Sequence, residues 1–219
     1  MAKLQSIINL LQDTTLGLTF TRENWLSFLS TASMNYKYPF QDQVLIYAQR
    51  PQATACASID FWNKSYKRWV KKNSKGIALI DDSREGLKLK YVFDAADTHY
   101  YHDDRFKLWQ LKDEHEADVV ESLINSFGEI TKGDFIQNIE QIAENLTVDN
   151  EVDYLLALVE AKADSALENI EEITIQDELH ETIKSSVEFM LLNRAGRVSE
   201  EYKNNLQFPY LNHLIPLIP

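Results

Sequence analysis

The fold is decided by Arg68-Trp-Val-Lys-Lys-Asn-Ser-Lys-Gly-Ile-Ala-Leu-Ile-Asp-Asp-Ser-Arg-Glu-Gly-Leu-Lys-Leu-Lys-Tyr-Val-Phe93. Residues 68–71, 76–80 and 87–93 are short runs rich in apolar and aromatic side chains, so each predicts a strand. Residues 87–91 alternate apolar and basic, as a strand with one wet face does. The polar segment 81–86 ends in Gly86 and suits a hairpin connection. Both flanks of this island carry helical spacing. The expected class is therefore α+β: a small antiparallel sheet flanked by helices, followed by an acidic helical region.

On the N-terminal side, Leu4, Ile7, Ile8 and Leu11 share one face of a predicted helix over 3–12. Thr21 is an expected N-cap, with Trp25, Phe28, Leu29 and Ala32 following at helical spacing. Pro39 and Pro51 bracket a third helix holding Val44, Leu45 and Ala48, and Ser58 caps a short one holding Phe61 and Trp62. On the C-terminal side, residues 106–109 suggest an edge strand. Helices are then predicted near 113–127, 134–146, 150–168 and 176–194, with Gly128 and Gly196 as stops. The tail from Phe208 to Pro219 is apolar and proline-rich.

With 219 residues the chain can form one large domain or two small ones. Its net charge of -12 is unevenly spread. Residues 1–109 hold 15 Lys/Arg against 11 Asp/Glu, a net of +4, and the remainder holds 7 against 23, a net of -16. The expected division is an α+β domain at 1–111 and an acidic helical region at 112–219, with different partners for the two surfaces. No run approaches the roughly 20 apolar residues that span a bilayer, so no membrane partner is expected. The start, Met-Ala-Lys-Leu-Gln-Ser, has no secretory h-region, and the lone Cys56 has no internal disulfide partner; both predict a cytoplasmic protein.

Aromatics and cations interleave from Tyr36 to Lys75. Eight cations (Lys37, Arg50, Lys64, Lys67, Arg68, Lys71, Lys72 and Lys75) face only Asp42 and Asp60 there. Single-stranded DNA or RNA is bound by this mixture, with bases stacked on rings and phosphates met by Lys and Arg. The candidate binding set is Tyr38, Lys67, Arg68, Trp69, Lys71, Lys72 and Lys75, with Tyr36 and Tyr66 as further stacking candidates. The competing reading is a solvated basic loop with packed aromatics; packing is the expected role of Trp25 and Trp62.

The segment from Trp25 to about His99 resembles the N-terminal domain of the ArdC antirestriction proteins. It is similar also to the first domain of helicase/methylase proteins from Firmicutes conjugative elements. The resemblance is carried by Trp25, Phe28 and Leu29; Tyr38-Pro-Phe40; Gln43 with Leu45-Ile46; Gln49-Arg-Pro51; Ala53-Thr54; Trp62; Val70-Lys71; Lys75-Gly-Ile77; and Val92-Phe-Asp94. It implies a mobile-element protein that binds single-stranded nucleic acid. It further implies an anti-defence role against a host nuclease system, Cas9-type CRISPR first and restriction second, with Cas9 or its guide RNA as partner. Alternatives are a plain single-strand-binding domain serving conjugation, or a nuclease acting on guide RNA. Two glycines usual in the family's basic turn are replaced here by Lys67 and Asn73. The family's second half carries a His-Glu-x-x-His zinc helix. The comparable string here is His180-Glu-Thr-Ile-Lys184, and a protonated Lys is no zinc ligand, so no metal is expected.

The chemistry-bearing cluster is Asp94, Asp97, His99 and His102, with Asp103 and Asp104 beside them. As catalytic candidates these residues would either hold Mg²⁺ or Mn²⁺ or supply a histidine base for metal-free RNA cleavage. No other cofactor is expected, and the competing reading is a polar connection with capping carboxylates. Binding inhibition is preferred to catalysis. Cys56, within a run of small residues, is expected to be a packing thiol. The acidic helices read either as a docking surface for a basic effector or as the wet side of a bundle.

Overall fold

A computed structural model describes residues 2–81, 86–100, 107–128, 133–163, 165 and 167–209. The chain divides into two compact units: residues up to Leu18 with Glu23–Trp109, and Thr19–Arg22 with the chain from Gln110 onward. The break between Trp109 and Gln110 lies two residues before the expected boundary.

The first unit opens with helices α1 (Ala2–Leu18), α2 (Arg22–Met34) and α3 (Phe40–Gln49). The expected hairpin forms from β3 (Ile77–Asp81) and β4 (Lys88–Asp94), which pair antiparallel from Ile77↔Val92 to Asp81↔Lys88. Its third strand is the two-residue β1 (Cys56–Ala57), giving the order β1-β4-β3. The strand expected at 68–71 joins a different sheet. There β2 (Trp69–Val70) pairs with β5 (Thr98–His99). Gly76 enters β3 where a Cβ would lie 3.0 Å from the ring of Phe93. The core joins Leu45, Ile46, Ala53, Ile77, Leu79 and Val92, with α1 adding Ile7, Leu10 and Leu11. Trp62, Phe93 and Ala95 form a second cluster, and the Trp62 indole donates to the Phe93 carbonyl at 2.8 Å.

Between the sheets lie α4 (Ile59–Phe61), capped by the Ser58 side chain, and one π-helical turn over Trp62–Tyr66. The second unit holds α5 (Glu116–Phe127), α6 (Phe135–Glu160), α7 (Glu172–Ala195) and α8 (Glu200–Asn205). The single 26-residue α6 replaces the two helices expected at 134–146 and 150–168. Its start carries a reciprocal capping box between Asp134 and Gln137. The polar residues mid-helix bond backwards instead of breaking the ladder: Thr147 Oγ1 donates to the Ala143 carbonyl, and Asn150 Nδ2 to that of Leu146. Residues 107–109, in the expected edge strand, are not extended into a ladder. Among the described residues no helix is long and apolar enough to cross a membrane.

Candidate nucleic-acid interface

Strand β2 and its flanks sort the basic residues by alternation. Side chains at successive strand positions point to opposite sides. Arg68 and Val70 turn inward, while Lys67, Trp69 and Lys71 are exposed. Trp69 keeps 37% of its surface accessible. His99, half-buried, sits directly across the ladder from it. The basic turn continues the ridge with exposed Lys72 and Lys75. That turn is fastened to the β5 connection by Lys71 N donating to the Asp97 carbonyl at 2.8 Å, and by Lys71 Nζ donating to the Ala96 carbonyl at 2.7 Å.

Backbone conformation aims this ridge. Lys67 (φ 56°) and Asn73 (φ 69°) are the two non-glycine residues with positive φ among those described. They bracket β2 and the start of the turn. A left-handed Lys carries a Cβ penalty that glycine avoids, and asparagine tolerates the region better. The reversal at Lys67 closes the π-helical turn through its amide bond to the Trp62 carbonyl.

Two members of the expected binding set belong elsewhere. Arg68 is only 5% exposed. Its guanidinium donates to Thr98 Oγ1 at 2.7 Å and to the carbonyls of Thr98 and Ala95 at 3.0 and 3.3 Å. It is a framework cation that ties β2 to β5, not a phosphate contact. Tyr38 is half-buried against the α3/sheet core, and its hydroxyl donates to the Cys56 carbonyl at 2.8 Å. Burial pushes its ionisation well above the usual phenol range. Tyr66, Phe61 and Tyr36 are exposed rings, with Tyr66 and Phe61 in contact at 5.6 Å.

Of the expected catalytic residues, Asp94 and Asp97 likewise have framework partners. Asp94 is 2% exposed, and its carboxylate accepts from the amides of Thr54 (2.7 Å), Ala55 (3.0 Å) and Ala96 (2.9 Å). A carboxylate so enclosed is a strong local cap and is not offered to a metal or a substrate proton. Asp97 is ion-paired with Arg50 at 2.6 Å, which raises the guanidinium's affinity for its proton. His102 lies outside the described residues. Among those described, no three His, Cys, Asp or Glu are grouped to hold a metal ion. Cys56 borders the core, and burial, with Asp94 nearby, pushes its thiol up to about 12, so it packs without being a thiolate at neutral pH.

Several framework residues were not legible as such. Gln49 reaches the edge strand β3 with its amide group, donating to the Ala78 carbonyl and accepting from the Ala78 amide, both at 2.9 Å. Asn35 donates to the Ala53 carbonyl and accepts from the Cys56 amide. A polar residue inside an apolar helical face was the only sequence signal for either.

In the second unit, the His180–Lys184 string faces α6. His180 bonds Glu151 through Nδ1 at 2.7 Å and Glu144 through Nε2 at 3.2 Å, and Lys184 pairs with Glu144 at 3.4 Å. Burial alone would lower the imidazole's proton affinity, but the two carboxylates outweigh it and raise it. A cleft of about 830 Å³ lies beside this network, lined by Glu140, Glu144, Glu181, Lys184 and Glu188. Glu188 is 7% exposed; burial pushes its carboxyl upward, and the Tyr202 hydroxyl donates to it.

No family model, no curated protein and no solved structure matches this chain.

Proposed function

We propose that the first unit binds single-stranded nucleic acid along the ridge Lys67–Trp69–Lys71 and the turn carrying Lys72 and Lys75. The observation that carries this reading is the alternation across β2. One exposed indole stands between exposed ammonium groups, with the intervening residues turned inward. That is the arrangement of a stacking platform beside a phosphate track. A solvated basic loop has no use for an aromatic between its lysines, whereas a stacking platform requires one. The Asp94 and Asp97 carboxylates both have framework partners, so binding is preferred over cleavage.

The setting we propose is anti-defence: protection of incoming mobile-element DNA by inhibition of a host nuclease system. The resemblance of Trp25–His99 to ArdC proteins supports it, and so does the acidic second half, with a net charge of -16 after Trp109. A nuclease that handles nucleic acid in a basic channel attracts such a surface. Cas9 with its guide RNA is the first target to test and a restriction enzyme the second. The experiment incubates the chain with Cas9 and guide, and reads both target cleavage and guide length. Blocked cleavage with intact guide supports a binding inhibitor. A shortened guide points to ribonuclease activity. No effect, with oligonucleotide binding retained, leaves a single-strand-binding protein acting in conjugation.

A further inference from the structure

Helix α6 carries an apolar stripe that no described element of its own unit covers. Val148, Val152 and Leu156 follow at intervals of four and retain 53%, 59% and 58% of their surface. Isolated exposed apolar residues need no explanation, but three in line along about 12 Å of helix form a continuous strip. Exposed Asp149, Asp153 and Glu160 border it on one side. Helical geometry places all six within about 140° of one another around the axis. The other border is closed, since Glu144 and Glu151 are held by His180 on α7.

Helix α5 packs on the neighbouring face of α6, at the azimuth of the acidic border and not of the stripe itself. Val120 and Leu123 of α5 pack with Ile139, Ile142 and Leu146. Asn145 then bonds the carbonyl of Phe127, the last residue of α5, at 3.2 Å. Helix α5 ends there, on the acidic side of the stripe.

We infer that this strip docks a basic amphipathic helix of a partner protein, laid along α6 with its basic flank toward Asp149, Asp153 and Glu160. Helix-in-groove recognition reads anchors at i, i+4 and i+8 spacing, and Val148, Val152 and Leu156 provide them. The carboxylates at the border require Lys or Arg on the partner's flank. Charge argues against a second copy as occupant, because two such faces would bring Asp149 and Asp153 against each other within a region of net charge -16. It argues equally against the chain's own residues 210–219, which contain no Lys or Arg. This inference deepens the partner side of the anti-defence reading and rests on it for its setting. Its test contains no nuclease, so the two can fail separately.

The test titrates the full chain against a fluorescent amphipathic Leu/Lys helical peptide. Controls are a scrambled isomer of the same composition and a Leu/Glu counterpart. The Leu/Lys peptide should bind and weaken with salt. Binding should fall at least about tenfold for Val152→Ser with Leu156→Ser, and also for Asp149→Lys with Asp153→Lys. These positions are exposed, so circular dichroism should show an unchanged fold for both variants. Equal binding of the scrambled isomer, or of the Leu/Glu peptide, overturns the inference. So does no binding by about 100 μM, which corresponds to a negligible interface. Self-association in sedimentation that the serine variant abolishes would assign the stripe to a second copy and overturn it as well. Peptide binding gained only on removing residues 210–219 would assign it to the tail, with the same consequence.

Discussion

Replacing Lys71, Lys72 and Lys75 with Gln tests the proposed ridge by its salt dependence. Four exposed cations line the ridge and turn: Lys67, Lys71, Lys72 and Lys75. Buried Arg68 is excluded because its donors face Thr98 and Ala95. For single strands each neutralised phosphate adds about 0.7 to the slope of log affinity against log salt, so four contacts give about 2.8. The wild type should then lose about 50-fold in affinity between about 50 and 200 mM salt, and the triple variant, keeping Lys67 alone, about 3-fold. Anisotropy of a labelled oligonucleotide measures both slopes. Because all three side chains lie at the surface, the melting curve should move by less than about 0.5 kcal/mol. Trp69→Ala separates stacking from charge. It should lower affinity by about 1–3 kcal/mol at every salt concentration and leave the slope alone. An unchanged slope in a folded triple variant would refute the phosphate assignment outright.

Three further outcomes are expected. Asp94→Asn should destabilise the first unit by about 3 kcal/mol, since one of three buried amides then faces an NH₂ group and the others lose a charged acceptor; chemical denaturation measures it. Lys67→Gly should relieve roughly 1–2 kcal/mol of left-handed strain against about 0.4–1 of unfolded-state entropy, for a net gain of about 0.5, while reducing the salt slope by about 0.7. In the second unit His180 holds its proton more tightly than the ordinary 6.5, so its contribution is complete below 6.5 and lost as pH rises through the raised value. Glu144 is shifted the other way: burial would raise it, but His180 and Lys184 win and lower it, so its contribution holds above 4.5 and is lost as pH falls through the depressed value. Melting midpoints should therefore fall on the alkaline side in the wild type and flatten there in His180→Gln.

What could be read from the sequence was what local pattern encodes. The alternation of residues 87–91 placed the β3–β4 hairpin, and Ser58 and Gly196 marked real helix ends. The two-residue strands β1 and β5 carry no local pattern, because their pairing is set by residues about 30 to 40 positions away: Cys56 opposite Asp94, and Trp69 opposite His99. Counting cations pooled Arg68 with its neighbours. Only the strand period, once β2 was placed, separated the buried guanidinium from the exposed lysines. Thr147, Asp149 and Asn150 favour turns, but back-bonding of Thr147 and Asn150 to the helix carbonyls lets α6 run through the expected break.

Five of the residues that carry the ArdC resemblance are latches of the framework. Gln49 grips Ala78, Arg50 grips Asp97, Tyr38 grips Cys56, Trp62 grips Phe93, and Asp94 gathers the amides of Thr54, Ala55 and Ala96. Four of them fasten α3 and the chain between α3 and β2 to the β3–β4 hairpin and the short connection that follows it, and Tyr38 fastens the turn before α3 to β1. Losing any one of these contacts leaves buried polar groups unpaired. Of the proposed ridge, Lys71 and Lys75 are among the residues that carry the resemblance, and Lys67, Trp69 and Lys72 are not. The proposed ridge stands on this frame as binding loops stand on rigid scaffolds. Specificity for strand type or sequence should accordingly follow substitutions at Lys67, Trp69 and Lys72. Substitutions at Gln49, Arg50 or Asp94 should change stability first and binding only through it.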